Sequence, residues 1–229
     1  MSITSLAQLQ AQVHDAEAGF AGADWGVVSS GHARLDAVLS AGGLRRGRLV
    51  EWMATAAGSG PTTLALQAAA EAARGGRPIV VVDRRGEFFP PALPPDFPRE
   101  QLLLLRCRRD DEAYWACTQA LGTSGVAAVV SLLPIADERR LRSWQLAAER
   151  GGALGLLVRH LPRQPEVCFS DLRLLVAPSC AAGGRRVSIT VLRARQGRPG
   201  AMVEVALDDH ANPVSDLAPG RHREVARRA

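Results

Sequence analysis

Three short runs constrain this chain more than any other feature: IVVVD at 79–83, VAAVVSLL at 126–133 and ALGLLV at 153–158. Each is apolar almost throughout rather than at every second position, so the strand it forms must be covered on both faces. Strands of that kind lie inside parallel sheets, whose crossover connections lay helices over both surfaces. Helical segments fall where those crossovers belong. Residues 62–74 are rich in Ala and Leu, 110–121 forms a second helix and 136–150 an Arg-rich third. RLVEWM (48–53) and LLLLR (102–106) add strands, and a short helix through Leu35, Val38 and Leu39 stops at Gly42-Gly43. The proline-rich stretch 84–100 reads as loop. After residue 158 strands follow one another without helices: DLRLLVAP (171–178), VSITVLRAR (187–195) and AMVEVALD (201–208). The expectation is an α/β fold: a mostly parallel sheet with helices on both faces and an antiparallel C-terminal extension.

Two segments flank that core. Residues 5–18 form an amphipathic helix, with Ser5 and Gln8 at capping-box spacing and Leu6, Leu9 and Val13 at helical intervals. The last twenty residues are loop-like and carry Arg221, Arg223, Arg227 and Arg228. They read either as a solubilising end or as a docking peptide ordered on binding. The division expected is 1–24 as N-terminal helix and linker, 25–210 as core, and 211–229 as basic tail. The start lacks a basic stretch followed by an apolar one, and no apolar run approaches the ~18 residues of a membrane span, so a cytoplasmic protein is expected. Cys107, Cys117, Cys168 and Cys180 have no CxxC spacing and read as buried thiols; no metal site is expected.

All 28 basic residues are arginine, against 23 acids. The absence of lysine excludes Schiff bases, lysine general bases and a phosphate-gripping lysine. A net charge of +5 permits contact with nucleic acid or an acidic partner, although one Tyr and five Phe leave few platforms for base stacking.

In an α/β sheet, ligands gather at the carboxyl ends of strands, where helix N-termini expose N–H groups. A phosphate-binding loop there follows G-x-x-x-x-G-K-[ST]. The corresponding place here reads Thr55-Ala56-Ala57-Gly58-Ser59-Gly60-Pro61-Thr62. Gly60 and Thr62 keep the second glycine and the hydroxyl; Thr55 replaces the first glycine and Pro61 the lysine. Proline removes a backbone donor along with the ammonium group. A structural turn without bound nucleotide is expected, with weak anion binding at the helix end as the alternative.

The phrase VSSGHARLDAVLSAGGLRRGRLVEW (28–52), with this loop and TTLALQAAAEAARGGRPIVVVD (62–83), resembles the nucleotide-binding core of the RecA recombinase family. VSITVLRARQGRPGAMVEVALDD (187–209) resembles that family's late strands, and is similar above all to its mutagenesis accessory branch, the ImuA family, where a phrase LRxRxGRPG occurs. The resemblance implies a RecA-like P-loop core. It places the P-loop lysine at Pro61, the water-activating acid at Arg85, the metal-binding aspartate at Ser131 and the γ-phosphate-sensing pair at Arg159-His160. None of these residues can perform those roles, so no ATP hydrolysis and no cofactor are expected. Asp83 reads as a turn or capping residue in preference to a metal ligand, and His160 as structural in preference to catalytic. Trp25, Trp52, Trp115 and Trp144 read as core or interface packing.

The resemblance further implies a non-catalytic adaptor in damage-induced (SOS) translesion DNA synthesis and mutagenesis. Its partners would be an ImuB-like inactive relative of Y-family polymerases and RecA, whose filaments it would inhibit. RecA-family protomers assemble head to tail through an N-terminal helix, so Leu6, Leu9 and Val13 would meet a recombinase protomer, or else pack on their own core. The alternative is an accessory module for single-stranded DNA. By family position its contacts would come from Arg139, Arg140 and Arg142 in one loop-helix segment and Arg159 and Arg163 in another; these also read as a solvated helix face. A RecA-like ATPase is the remaining reading.

Overall fold

The computed structural model describes residues 24–56, 58–94, 96–133, 137–161, 169–179, 185–196 and 199–207. The segment 5–18 with Leu6, Leu9 and Val13, the tail arginines, Arg163, Cys168 and Cys180 lie outside the described residues.

In chain order the elements are β1 (Val27–Val28), α1 (Ala33–Val38), β2 (Leu44–Arg45), β3 (Leu49–Ala54), α2 (Pro61–Ala72), β4 (Ile79–Asp83) and β5 (Leu102–Arg106). Then come α3 (Asp110–Leu121), β6 (Ala128–Ser131), α4 (Glu138–Gly151), β7 (Leu154–His160), β8 (Leu172–Ser179), β9 (Arg186–Ala194) and β10 (Met202–Ala206). Eight strands form one sheet in the order β10-β9-β8-β3-β7-β6-β4-β5, and β1 with β2 forms a small antiparallel ladder beside it. Two short 3₁₀ turns punctuate the proline-rich loop.

The uniformly apolar strands do sit inside the sheet. Every residue of β3, β4 and β6 is buried, because helices cover both faces there. Alternate side chains divide between two cores. Val50, Trp52, Ile79 and Val81 pack with α1 and α2 on one face. Leu49, Val80, Val82 and Val129 pack with α3 and α4 on the other. Tyr114 and Trp144 join α3 to α4, their ring centroids 5.5 Å apart.

One expectation is corrected. The strand at 171–178 was assigned to the antiparallel extension, yet β8 runs parallel to β3, with Val50 opposite Leu172. Within this sheet, the antiparallel pairings among the described residues are β8 with β9 and β9 with β10. The apolar alternation of β8 is the same for either direction, so the strand's own pattern does not encode which way it runs.

The N-terminal ends of the strands hold Trp25 in a slot made by two glycines. A Cβ on Gly47 would come within 2.8 Å of the indole, and one on Gly152 within 2.5 Å. The indole Nε1–H donates to the Glu149 carbonyl at 2.9 Å. No helix among the described residues is long and apolar enough to cross a membrane.

Candidate functional site

The carboxyl ends of β3, β6 and β7 and the start of α2 frame a cavity of about 530 Å³. Pro61, Leu132, Leu133 and Val158 give it apolar walls, and Arg85, Arg185 and His160 bring polar groups to it. It lies where a doubly covered parallel sheet places its ligands.

The loop entering α2 was singled out for phosphate binding and its loss. Two of its N–H groups, those of Ala56 and Ser59, turn inward. Ala56 N–H donates to Ser59 Oγ at 3.1 Å, Ser59 Oγ–H donates back to the Ala56 carbonyl at 2.6 Å, and Ser59 N–H reaches the same carbonyl at 3.3 Å. The Ser59 side chain is fully buried by this closure. Gly60 turns the chain at φ +91°, and Pro61 opens the helix without an N–H. Arg185 donates to the Gly58 carbonyl at 2.8 Å. Leu207 presses on Gly60 so closely that a Cβ there would lie 2.5 Å from its Cδ1. A triphosphate needs several N–H groups converging on one point and a cation beside them. With Ala56 and Ser59 bonded within the loop and Pro61 at the helix start, these residues do not fit that group.

The other carried-over positions are built into the fold in different ways. Asp83, buried at the end of β4, accepts four N–H groups. Those of Arg85, Gly86 and Glu87 reach Oδ1 at 3.1, 2.8 and 3.1 Å, and that of Phe88 reaches Oδ2 at 3.0 Å. The carboxylate is the hub of the turn, as its capping role predicts. Arg85 is exposed and faces Glu87 at 3.8 Å. Ser131 is buried beside Cys117, whose thiol burial pushes up to about 12 although the serine's hydrogen bond draws it the other way. His160 is exposed at the margin of the cavity.

Arg159 is the correction that matters most. It was assigned to a DNA-contacting loop, but its side chain is 4% exposed and its Nη1 donates to Glu51 Oε2 at 2.9 Å. Glu51, fully buried in the middle of β3, also receives Arg173 Nε at 3.2 Å and the Ser170 hydroxyl. A guanidinium inside the sheet stays there only with a carboxylate partner, because the desolvation cost of the lone ion is several kcal/mol. The sequence reading passed over Glu51. A single acid in the run RLVEWM was the available signal, since such a strand keeps a charge only with a partner.

Of the remaining arginines proposed for DNA, Arg139 and Arg142 are exposed on α4. Arg140 lies over the Tyr114 ring at 4.0 Å from its centroid and pairs with Asp137 at 3.8 Å. Among the tryptophans, Trp52 and Trp144 are buried whereas Trp115 is 67% exposed, so it packs in no core. Among the described residues no group of three His, Cys, Asp or Glu side chains could hold a metal ion.

Comparison with known proteins adds three findings. A family model for the RecA N-terminal domain matches residues 19–92. Two curated proteins named Protein ImuA, from the NA1000/CB15N and CB 15 strains of Caulobacter vibrioides, are each 32% identical over 222 residues. Those alignments cover 84% of this chain and 90% of the relatives. Among solved structures, that of the RadB recombinase superposes with a TM-score of 0.60 at 19% identity, over 77% of this chain and 94% of RadB. At that identity the likeness is one of fold.

Proposed function

The chain belongs to the ImuA family of RecA-like proteins, and from that premise we propose that it is a non-catalytic adaptor of the ImuA/ImuB mutagenesis system. In this reading it acts in damage-induced translesion synthesis, binds an ImuB-type polymerase relative, and inhibits RecA filaments. The observation that carries the proposal is the loop at 55–60. It is hydrogen-bonded onto itself around Ser59 and runs into a helix whose first residue is proline. Phosphoryl transfer rests on positioning and charge neutralisation, and Pro61, Arg85 and Ser131 supply neither a lysine, a base nor a metal ligand.

A RecA-type core without its nucleotide joint can still offer a recombinase one of its two mating surfaces. β5 is an outer strand of the sheet, and Leu103 and Leu105 on it are 52% and 38% exposed. Open edges of this kind accept a strand from another chain. A heterologous contact that does not propagate ends an assembly instead of extending it. The absence of the nucleotide joint favours inhibition over assistance.

The test is RecA's ATPase on single-stranded DNA, titrated with this protein, with controls omitting RecA or DNA. A fall at substoichiometric amounts, with no hydrolysis by the protein alone, is the expected result. Magnesium-dependent hydrolysis without RecA would overturn the adaptor reading. An unchanged RecA rate would remove RecA inhibition from it.

A further inference from the structure

The two edges of the sheet are guarded differently. β10 carries the exposed Glu204 at its centre, a charge of the kind that deters an added strand. β5, at the other edge, reads LLLLR, with no proline and no charge before its last residue. Its register with β4 runs unbroken from Ile79 opposite Leu102 to Asp83 opposite Arg106, so no bulge turns it away from a neighbour. Among the described residues no strand lies on its outer side.

The two faces of β5 differ as well. Leu102 and Leu104 pack on the core to which the proline-rich loop contributes Phe88, Leu93 and Phe97. Leu103 and Leu105 lie opposite Val80 and Val82, and so share the face covered by α3 and α4. There α3 lies over β4 and β6, one strand in from the edge, and Leu103 and Leu105 remain 52% and 38% exposed.

An antiparallel strand added here would extend the sheet, and the sequence of β5 is its own complement for that purpose. Centred on Leu104, two copies of the strand set Leu103 of each opposite Leu105 of the other. No other symmetric register pairs all four of these leucines. The axis of such a pair is perpendicular to the sheet, so both copies present the same face and the four side chains meet between the two α3 helices. The same register carries the exposed Glu100 of one copy towards the exposed Arg108 of the other, on both sides of the axis. Arg99 and Arg109 also come opposite each other, but each is engaged within its own chain. Arg99 donates to the Leu93 carbonyl at 2.6 Å, and Arg109 pairs with Asp111 and Glu112. Matching of a strand with itself, in apolar contact and in charge, is what an isologous contact requires.

We propose that β5 pairs antiparallel with β5 of a second copy of this chain, joining two sheets into one across a two-fold axis at Leu104. The contact is closed, unlike the head-to-tail contact that the family resemblance implies. It goes beyond the adaptor reading and covers the edge that reading offers to a recombinase. Its assay contains no recombinase, so the two fail separately.

The test is sedimentation equilibrium of the full chain across a dilution series, with circular dichroism melts to check folding. The expected wild-type mass is twice that of the chain, without larger species. Leu103→Lys/Leu105→Lys should be monomeric throughout, and because both positions are exposed the fold should hold. Glu100→Arg or Arg108→Glu alone places like charges together on both sides of the axis. Each should weaken the dimer about fivefold, on the scale of exposed ion pairs, and the two combined should recover wild-type affinity. A wild-type monomer at about 100 μM, the result if another segment or another protein covers this edge, would overturn the proposal. So would species larger than a dimer, a dimer that the lysine pair leaves intact, or charge reversals that the combined variant fails to rescue. The charge reversals decide the matter if the lysine variant does not fold.

Discussion

Glu51→Ala offers the most direct check on how the interior of the sheet is held. The carboxylate is fully buried, and the Arg159 and Arg173 side chains around it are 4% and 12% exposed. Removing it takes the shared acceptor from two guanidinium groups and from the Ser170 hydroxyl. Breaking a buried pair from one side costs about 3–5 kcal/mol, because the remaining charge stays desolvated. Arg173 has some access to water and so lowers the cost, whereas Arg159 has almost none. A loss of about 3 kcal/mol is expected; at ~2–4 °C per kcal/mol for a domain of this size, the midpoint should fall by roughly 6–12 °C. Circular dichroism melts and urea titrations of the purified chain measure it. Glu51→Gln, which keeps an acceptor, should lose less. Replacing Glu51, Arg159 and Arg173 together by Met should also cost less than Glu51→Ala, since the buried charges leave with their partner. A loss below about 1 kcal/mol for Glu51→Ala, the worth of a surface pair, would refute the account.

Two further outcomes follow from the same structure. A Cβ on Gly155 would lie 2.3 Å from Leu49 Cδ2 and 3.1 Å from Leu121 Cδ2, so Gly155→Ala should cost about 1–3 kcal/mol in urea unfolding, as overpacking does. Burial raises the Asp171 pKa above its unfolded value, so the folded state holds that proton more tightly. Stability from this group is therefore fully present below the ordinary Asp value of about 4 and is lost as pH rises through the folded value. Asp171→Asn should flatten that stretch of the stability–pH curve, and an unchanged slope would count against the burial of this carboxylate.

The parts of the fold legible in the sequence were those written locally. IVVVD and the apolar run before Ser131 had to become strands covered on both faces, because an unbroken apolar strand has no side to offer water. The loss of the phosphate-gripping lysine was equally plain, since Pro61 and the absence of any lysine are facts of composition and position. Asp83 at the end of its strand was readable as a turn hub because its four donors come from the next five residues.

What only the tertiary structure decided concerns pairings between distant positions. Glu51 and Arg159 are 108 residues apart, and the family resemblance placed Arg159 on a DNA-contacting loop because such loops follow that strand in RecA relatives. The direction of β8 is set by its pairing with β3, which its own alternation, equal in either direction, does not encode. The loop that closes around Ser59 is also met from the far end of the chain, by Arg185 at the Gly58 carbonyl and Leu207 against Gly60. Likewise, Arg45 meets Gln196 only because β3, β8 and β9 lie side by side. Local sequence fixes backbone preference and which faces seek burial, since those depend on neighbours within a few residues. The identity of a charge's partner is settled by packing, when desolvation makes an unpartnered ion too costly to bury.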